Sequence, residues 1–179
     1  MERSLVMLKP DAVKRNLVDD IMKYFENEGL NITQKKELTA TREIAGNHYA
    51  DSMPWYKSCG SKTIESYKRS GLNITDIFSE EDPVVVGKQI RDWLMDFISS
   101  GSVLAMIIEG PEGTIQKIRD LAGNTNPPEA NEGTIRGDLG IDSYEKANKE
   151  GRALENLVHA SESAEEAERE IAIWFPKLA

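Results

Sequence analysis

The sequence predicts an α+β domain, because short apolar runs typical of buried strands are mixed along the chain with the apolar stripes of helices. At 179 residues, with 39% hydrophobic and 30% charged residues, the chain has the size and composition of one globular domain. Residues 4–8 and 103–108 are continuous apolar runs, and a proline followed by a helical pattern comes after each. No shift in composition marks a linker, so we expect residues 1–179 to form a single domain.

The first part of the chain predicts two strands and two helices. Residues 4–8 form the first strand, and the i, i+4 spacing of apolar residues from Val13 predicts a helix that stops at Gly29. Residues 30–40 alternate weakly and are compatible with a half-buried strand. Thr41 is a suitable N-cap for a short helix that follows it.

The second part repeats this mixture around a long loop. An apolar stripe predicts a helix over 84–100, and residues 103–108 follow as a buried strand. A helix opens at Pro111 and closes at Gly123. Residues 124–142 are dense in Gly, Pro, Asn and Thr, which indicates a long ordered loop of the kind that is usually functional.

The end of the chain predicts a short strand and a final helix. Residues 157–158 form a short strand that delivers His159, while Ser163 and Glu166 have the spacing of a capping box. Residues 51–83 are rich in Ser, Lys and Gly and show no clear period, so we interpret them as an elaboration of the domain.

The charge balance restricts the partners. Acidic residues outnumber basic ones by 31 to 22, which gives a formal net charge of −9. Such a surface does not favour nucleic acid, because nucleic-acid binding depends on a broad positive potential. An anionic ligand must therefore be held by a few cations concentrated in a cleft.

Cysteine usage and apolar runs indicate the compartment. Cys59 is the only cysteine, so neither an internal disulfide nor a cysteine zinc cluster is expected. The first residues lack the apolar segment of a secretory signal, and no apolar run approaches the roughly 20 residues that cross a bilayer. We expect a cytoplasmic protein that does not bind membranes.

The common phosphate-binding motifs are absent from the sequence. Lys62 and Thr63 follow Ser61 and not the glycine of a P-loop, and no Gly-x-Gly-x-x-Gly opens a helix after a strand. Polar residues stand instead at predicted strand ends, on one helix and in the long loop: Lys9, Arg119, Thr125, Arg136 and His159. Cations that neutralise spreading charge, together with an imidazole that is mostly neutral at pH 7, are what phosphoryl transfer through a nitrogen nucleophile requires.

Four sequence blocks, with the elements between them, span most of the chain: 2–15, 100–101 with 103–110, 124–127 with 133–138, and 156–163 followed by Glu170. In this order they resemble the nucleoside diphosphate kinase family. The last block, Asn-Leu-Val-His-Ala-Ser-Glu-Ser with a glutamate eleven residues after the histidine, is the most specific. The resemblance implies a ferredoxin-like antiparallel sheet covered by helices.

The resemblance also implies the reaction and its partners. Members transfer the γ-phosphoryl group of a nucleoside triphosphate, typically ATP, to a nucleoside diphosphate in a ping-pong reaction through a phosphohistidine. They use Mg²⁺, which the nucleotide phosphates hold for the most part, so no protein metal ligand is expected. Homo-oligomers, hexamers or tetramers, are the family norm.

Residue by residue, the resemblance implies a complete site. His159 matches the nucleophile, Glu170 the carboxylate that orients its ring, and Ser161 the hydroxyl that hydrogen-bonds this carboxylate. The phosphate clamp matches Lys9, Arg119, Thr125 and Arg136, while Tyr49 supports the phosphate site and Asn156 contacts the sugar. Lys9 counts among both the catalytic and the nucleotide-binding residues. His48 we interpret as structural.

The sequence departs from the common form of the family at two places. Insertions are predicted near 51–86 and 143–153, on either side of the site residues. The first insertion displaces the segment that carries an aromatic residue against the nucleotide base. Either Ile90 grips the base, or an aromatic residue substitutes for it: Trp55, Tyr56 or Tyr67.

Two other classes of function compete with the kinase. A non-catalytic nucleotide-binding or regulatory protein could share the fold, and the acidic surface also permits a pure interaction module. The presence of His159, Glu170 and Lys9 argues against the first alternative, since a degenerate relative would be expected to lose the nucleophile first. Discharge of a phosphorylated protein by a nucleoside diphosphate would distinguish the kinase from both.

Overall fold

The fold is built on a four-stranded antiparallel sheet, and the computed structural model describes residues 1–177. The strands are β1 (Glu2–Leu8), β2 (Asn31–Thr39), β3 (Ser102–Gly110) and β4 (Val158–Ala160). Their order across the sheet is β2-β3-β1-β4, so β1 has a neighbour on both sides. Met7 of β1 pairs with His159 of β4, and this register places His159 next to the strand that leads into Lys9.

Helices pack on both faces of this sheet. Within the described residues they are α1 (Pro10–Lys14), α2 (Val18–Asn27), α3 (Arg42–His48), α4 (Met53–Arg69), α5 (Pro83–Ser99), α6 (Thr114–Ala122), α7 (Ile135–Leu139), α8 (Tyr144–Glu150) and α9 (Ala164–Trp174). Apolar residues of α1, α2, α6 and α7 cover one face, and those of α3, α5 and α9 cover the other.

The central strand shows why its sequence is continuously apolar. Successive side chains of a strand point to opposite faces. Val6 and Leu8 accordingly lie in the core that contains α2, whereas Leu5 and Met7 lie in the core that contains Trp174. All four strand residues are fully buried, because both faces of the sheet are covered.

Helices α4 and α5 form a hairpin with a small core of their own, which comprises Ile64, Tyr67, Ile74, Phe78 and Val86. The two helix backbones approach closely at two glycines. A Cβ atom on Gly60 would lie 1.8 Å from the carbonyl oxygen of Pro83. One on Gly87 would lie 2.1 Å from the carbonyl oxygen of Tyr56. Only glycine fits at these positions without a shift of the backbone.

Replacing Gly87 with alanine is expected to lower the free energy of unfolding by about 1–3 kcal/mol, because the new methyl group meets backbone and not a movable side chain. Urea unfolding measures the change. Gly46→Ala on α3 is the matched control, since its Cβ would lie 3.4 Å from the flexible end of Met95. That substitution is expected to be neutral or to stabilise by up to about 1 kcal/mol. Equal losses in both variants would contradict the close crossing.

The helix predicted from Val13 to Gly29 is two helices, which corrects the sequence prediction. Helix α1 ends at Lys14 and α2 begins at Val18. Between them Asn16 has a φ of 57°, in the left-handed region that asparagine tolerates better than most residues. The apolar spacing continues across this turn, so the periodicity did not reveal the break.

Other boundaries also differ from the prediction. Residues 51–83 contain the 17-residue helix α4, which Ser52 caps at its N-terminus. The helix predicted to open at Pro111 begins at Thr114 instead, because Gly113 adopts a φ of 91° just before it. The loop over 124–142 contains α7 and a short 3-10 turn.

The predicted fold class is confirmed: an α+β fold with an antiparallel sheet covered by helices. In the part of the chain that the structure describes, no helix combines the length and the apolar character needed to cross a membrane.

Candidate active site

The strand that carries His159 is anchored by a strained turn at its start. Leu157 has a φ of 68°, a left-handed conformation that residues other than glycine rarely adopt. Its N–H donates to Oδ2 of Asp11 at 3.0 Å, and its carbonyl oxygen accepts from the N–H of Lys9 at 2.8 Å. These bonds hold the unfavourable conformation and fix His159 relative to the end of β1.

A buried carboxylate from α9 orients the imidazole of His159. Nε2 lies 2.9 and 3.0 Å from the two carboxylate oxygens of Glu170, and Ser161 Oγ donates to Oε2 at 2.6 Å. Burial disfavours the Glu170 anion, but the charge and hydrogen bond of His159, with smaller effects of His48 and Ser161, lower its pKa to about 2. The ionised carboxylate therefore fixes the proton on Nε2. Nδ1 has no hydrogen-bond partner within residues 1–177.

The predicted cations meet His159 in one polar cleft of about 410 Å³. Six of the predicted site residues line it: Lys9, Arg119, Thr125, Arg136, Asn156 and His159. Of the remaining three, Ser161 is fully buried behind the histidine, while Tyr49 and Glu170 line an adjoining cavity. The structure thus brings together the residues that were expected to converge from separate elements.

Lys9 is held at the floor of this cleft by a chain of hydrogen bonds. Its Nζ donates to Oδ1 of Asn156 at 2.7 Å, and Nδ2 of Asn156 donates to the carbonyl oxygen of Thr125 at 2.9 Å. Only 7% of Lys9 is exposed. Burial, followed by the charge of Arg136, lowers the pKa of Lys9 to about 8, whereas Asp11 opposes this shift.

Arg136 is fixed by backbone groups and keeps its charge uncompensated. Its guanidinium donates to three carbonyl oxygens, those of Asn156 (3.0 Å), Gly123 (2.7 Å) and Val158 (2.6 Å). It forms no ion pair with any residue that the structure describes, and burial lowers its pKa to about 10. Arg119 is more exposed and lies 3.8 Å from a carboxylate oxygen of Glu162. Such an exposed pair is weak, so both arginines are available to an anion.

Comparison with known proteins agrees with this geometry. The family model described as nucleoside diphosphate kinase matches residues 2–66 and 77–179. The chain is 42% identical to the nucleoside diphosphate kinase of Pyrobaculum aerophilum over 98% of this chain and 95% of the relative. It is 38% identical to that of Archaeoglobus fulgidus over 98% of this chain and 87% of the relative.

Solved structures show the same similarity. The crystal structure of the NDP kinase from Pyrobaculum aerophilum has a TM-score of 0.94 and covers 97% of this chain and 95% of that chain. A nucleoside-diphosphate kinase from Borrelia burgdorferi, described as a transition state mimic with bound vanadate and ADP, has 30% identity and a TM-score of 0.74. It covers 97% of this chain and 86% of that chain.

The chain belongs to the nucleoside diphosphate kinase family. The family predicted from the four sequence blocks is confirmed, and with it the phosphotransferase class of enzyme. The stretch that the family model leaves unmatched, 67–76, falls inside the segment 51–86 that was predicted as an insertion.

Tyr49 lies at the edge of the site and, like Glu170, lines the adjoining cavity. Its hydroxyl oxygen is buried and has no hydrogen-bond partner among residues 1–177. Burial, with a smaller effect of the Glu170 charge, raises the pKa of Tyr49, so the phenol stays protonated. It is an unused donor next to the adjoining cavity.

The adjoining cavity of about 740 Å³ extends the cleft between helices α4, α5 and α8. Ile90 and Trp55, two of the four candidates for contact with the base, line it. The other two do not: Tyr56 is buried and donates to Asp51, and Tyr67 donates to the carbonyl oxygen of Asn148.

Tyr144 also lines this cavity, although it was not among the residues predicted for the site. It is the first residue of α8, within the predicted insertion 143–153. No motif in the sequence connects that segment to the site.

One cluster in the described residues has the spacing of metal ligands. It consists of His48, His159 and Glu170, whose ligand atoms lie within 4.8 Å of one another. The carboxylate oxygens already accept from His159 and Ser161, and Nδ1 of His48 accepts from Trp174. These contacts account for the ligand atoms, so we assign the cluster to orientation of the imidazole.

Proposed function

We propose that this chain transfers the γ-phosphoryl group of a nucleoside triphosphate to a nucleoside diphosphate through a phosphohistidine on His159. The observation that carries the proposal is the pairing of Nε2 with Glu170, because it leaves Nδ1 as the ring nitrogen with a free lone pair beside the cationic cleft. An imidazole of this kind is a nucleophile at neutral pH without removal of a further proton.

The two half-reactions balance without an external acid or base. In the first, the Nδ1 lone pair attacks the γ-phosphorus, the bond to the β-phosphate oxygen breaks, and the nucleoside diphosphate leaves. In the second, a terminal phosphate oxygen of the acceptor attacks the phosphohistidine, the P–N bond breaks, and His159 is restored. The Nε2 proton stays on the ring, where the ionised Glu170 stabilises the positive charge.

Positioning and fixed charge supply most of the rate enhancement in this proposal. Lys9, Arg119 and Arg136 neutralise charge on the phosphoryl oxygens, since all three line the cleft with His159. The hydroxyl groups of Thr125 and Tyr49 donate to phosphate oxygens. Asn156 holds Lys9 and contacts the sugar.

Mg²⁺ is the proposed cofactor, bound mainly to the nucleotide phosphates. Carboxylate oxygens around the cleft are few, and those of Glu170 are already hydrogen-bonded. Because Mg²⁺ retains water and prefers oxygen ligands, the donor set fits an ion that arrives with its nucleotide. When bound, it would neutralise phosphate charge.

Assembly and compartment complete the proposal. We infer a homo-oligomer, a hexamer or tetramer, in the cytoplasm, without nucleic acid or membrane as a partner. The free edge of β2, which pairs only with β3 in the described sheet, offers unpaired backbone groups to another subunit. The net charge of −9 supports the exclusion of nucleic acid.

Incubation of the protein with γ-labelled ATP and Mg²⁺ in the absence of acceptor tests the function. We expect an acid-labile label on the protein, and its transfer to GDP on a subsequent addition. A protein that binds ATP but never becomes labelled would support the non-catalytic alternative instead.

The pH dependence of kcat/KM is expected to show a fall above about pH 8, because Lys9 loses its charge near that value in the free enzyme. Lys9→Arg is expected to remove this alkaline limb, since a guanidinium stays charged. Its plateau should be lower by about tenfold, because arginine cannot reproduce the bond to Asn156. Steady-state rates from about pH 6 to 10 measure both effects. A limb that persists in Lys9→Arg would assign the titration to another group.

A further inference from the structure

A second imidazole faces the same carboxylate oxygen as His159. His48, the last residue of α3, is buried, and its ring packs edge-to-face on that of His159 with centroids 4.5 Å apart. Its Nδ1 lies 3.6 Å from Oε1 of Glu170, the oxygen that is 2.9 Å from Nε2 of His159. A proton on this Nδ1 would therefore make His48 a competitor for the carboxylate.

Trp174 prevents this competition in the structure. Its indole Nε1–H donates to Nδ1 of His48 at 3.3 Å. An indole nitrogen can only donate, so Nδ1 of His48 must be the acceptor, and the proton of the neutral ring lies on Nε2. That Nε2 is buried without a hydrogen-bond partner among residues 1–177, so its N–H does not stabilise this tautomer. The hydrogen bond from the indole of Trp174 is what favours it.

Burial, more than any neighbouring charge, keeps the ring of His48 neutral. Burial lowers its pKa well below the ordinary value, and the charges of His159, Arg169 and Lys9 act in the same direction, while that of Glu170 opposes them. These groups come from β4, α9 and the segment after β1, and the phenol of Tyr49 also lies against the ring. A neutral ring with one fixed tautomer is the state that leaves Glu170 to His159.

We propose that Trp174 and His48 form a tautomer lock, in which the indole N–H keeps the proton off Nδ1 of His48 and thereby reserves Glu170 for the nucleophile. Both are positioning residues, since they act through Glu170 and His159. The inference rests on the proposed function, in which His159 accepts the phosphoryl group.

Trp174→Phe removes the donor and retains an aromatic ring in the core. Nδ1 of His48 can then carry the proton of the neutral ring and donate to Oε1 of Glu170 at every pH. We expect the phosphorylation rate to fall by about tenfold across the pH range. A merely structural defect would persist when His48 is also replaced, whereas loss of the lock would be relieved.

Single-turnover phosphorylation by ATP from about pH 5 to 9 measures this rate. Trp93→Phe on α5 is the matched control, since Trp93 packs on the small core of the α4–α5 hairpin and its replacement is expected to leave the rate unchanged. In the double variant Trp174→Phe/His48→Phe the competing imidazole is gone, and we expect the rate to return to that of the wild type. A wild-type rate in Trp174→Phe, or the same loss in the double variant, would overturn the lock.

Imidazole nitrogen NMR spectra of the isotope-labelled wild-type protein test the lock without any substitution. We expect Nδ1 of His48 to be unprotonated and Nε2 protonated throughout the neutral range; the opposite tautomer would refute the proposal. If ATP does not phosphorylate the wild type, the proposed function fails, whereas the spectra still decide the tautomer. Phosphorylation with a protonated Nδ1 on His48 would leave the function intact and reject the lock alone.

Discussion

His159→Ala is expected to abolish phosphoryl transfer, with a loss of at least about 10⁴-fold in the rate with ATP and GDP. The reason is that the other histidine of the chain cannot replace Nδ1 of His159. His48 is buried, and its Nδ1 lone pair accepts from Trp174. The acid-labile label should be absent as well. The coupled production of GTP and the labelling reaction measure the two effects.

Binding of ATP separates loss of chemistry from loss of the site in this variant. The cleft cations are held by residues other than His159, since Lys9 is bonded to Asn156 and Arg136 to backbone carbonyls. Affinity for ATP by calorimetry should therefore stay within about threefold of the wild type. If His159→Ala still forms GTP at about a tenth of the wild-type rate, the nucleophile must be another residue.

The proximity of Lys9 and His159 could be predicted in part, because each follows an apolar run. β1 and β4 are antiparallel, so the end of β1 lies beside the start of β4, and the three residues of β4 keep His159 close to it. The contact between His159 and Glu170 could not be predicted from the spacing of apolar residues, because the end of β4, a turn and half of α9 lie between the two residues. Only the eleven-residue spacing of the family block indicated it.

Helix α4 was not predicted because its buried face does not appear apolar in the sequence. Gly60 and Ser66 occupy buried positions alongside Ile64 and Tyr67. Glycine is there because the backbone of α5 approaches too closely for a side chain. The spacing of apolar residues does not reveal buried positions that are occupied by glycine or serine. The sequence therefore predicts an irregular elaboration for this segment.

The contact of His48 with the site residue His159 also could not be predicted from the sequence. Its interpretation as a structural residue agrees with its burial, but its contact with His159 arises from the packing of α3 against α9. Tertiary packing of this kind leaves no signature in spacing or composition.

Glu170→Gln is expected to lower the rate of His159 phosphorylation by about 10²- to 10³-fold, although the side chain keeps its size. The carboxylate accepts from both Nε2 of His159 and Oγ of Ser161. An amide that turns its oxygen to His159 loses the negative charge that stabilises the ring. One that turns its nitrogen there forces the proton onto Nδ1 and blocks the lone pair that attacks.

The loss should be nearly independent of pH, because the pKa of Glu170 is about 2 and the wild-type carboxylate is ionised at every pH at which the enzyme is assayed. Single-turnover phosphorylation by ATP across the neutral range measures the loss.

Glu166→Gln is the matched control. Glu166 lies one turn earlier on α9, and its carboxylate accepts from Arg169 at 2.6 Å at the surface. An exposed pair of this kind contributes little, so that variant should retain the wild-type rate within about twofold. Equal rates for the two variants would mean that the ring of His159 is oriented without the charge of Glu170, and the assignment of that residue would have to be abandoned.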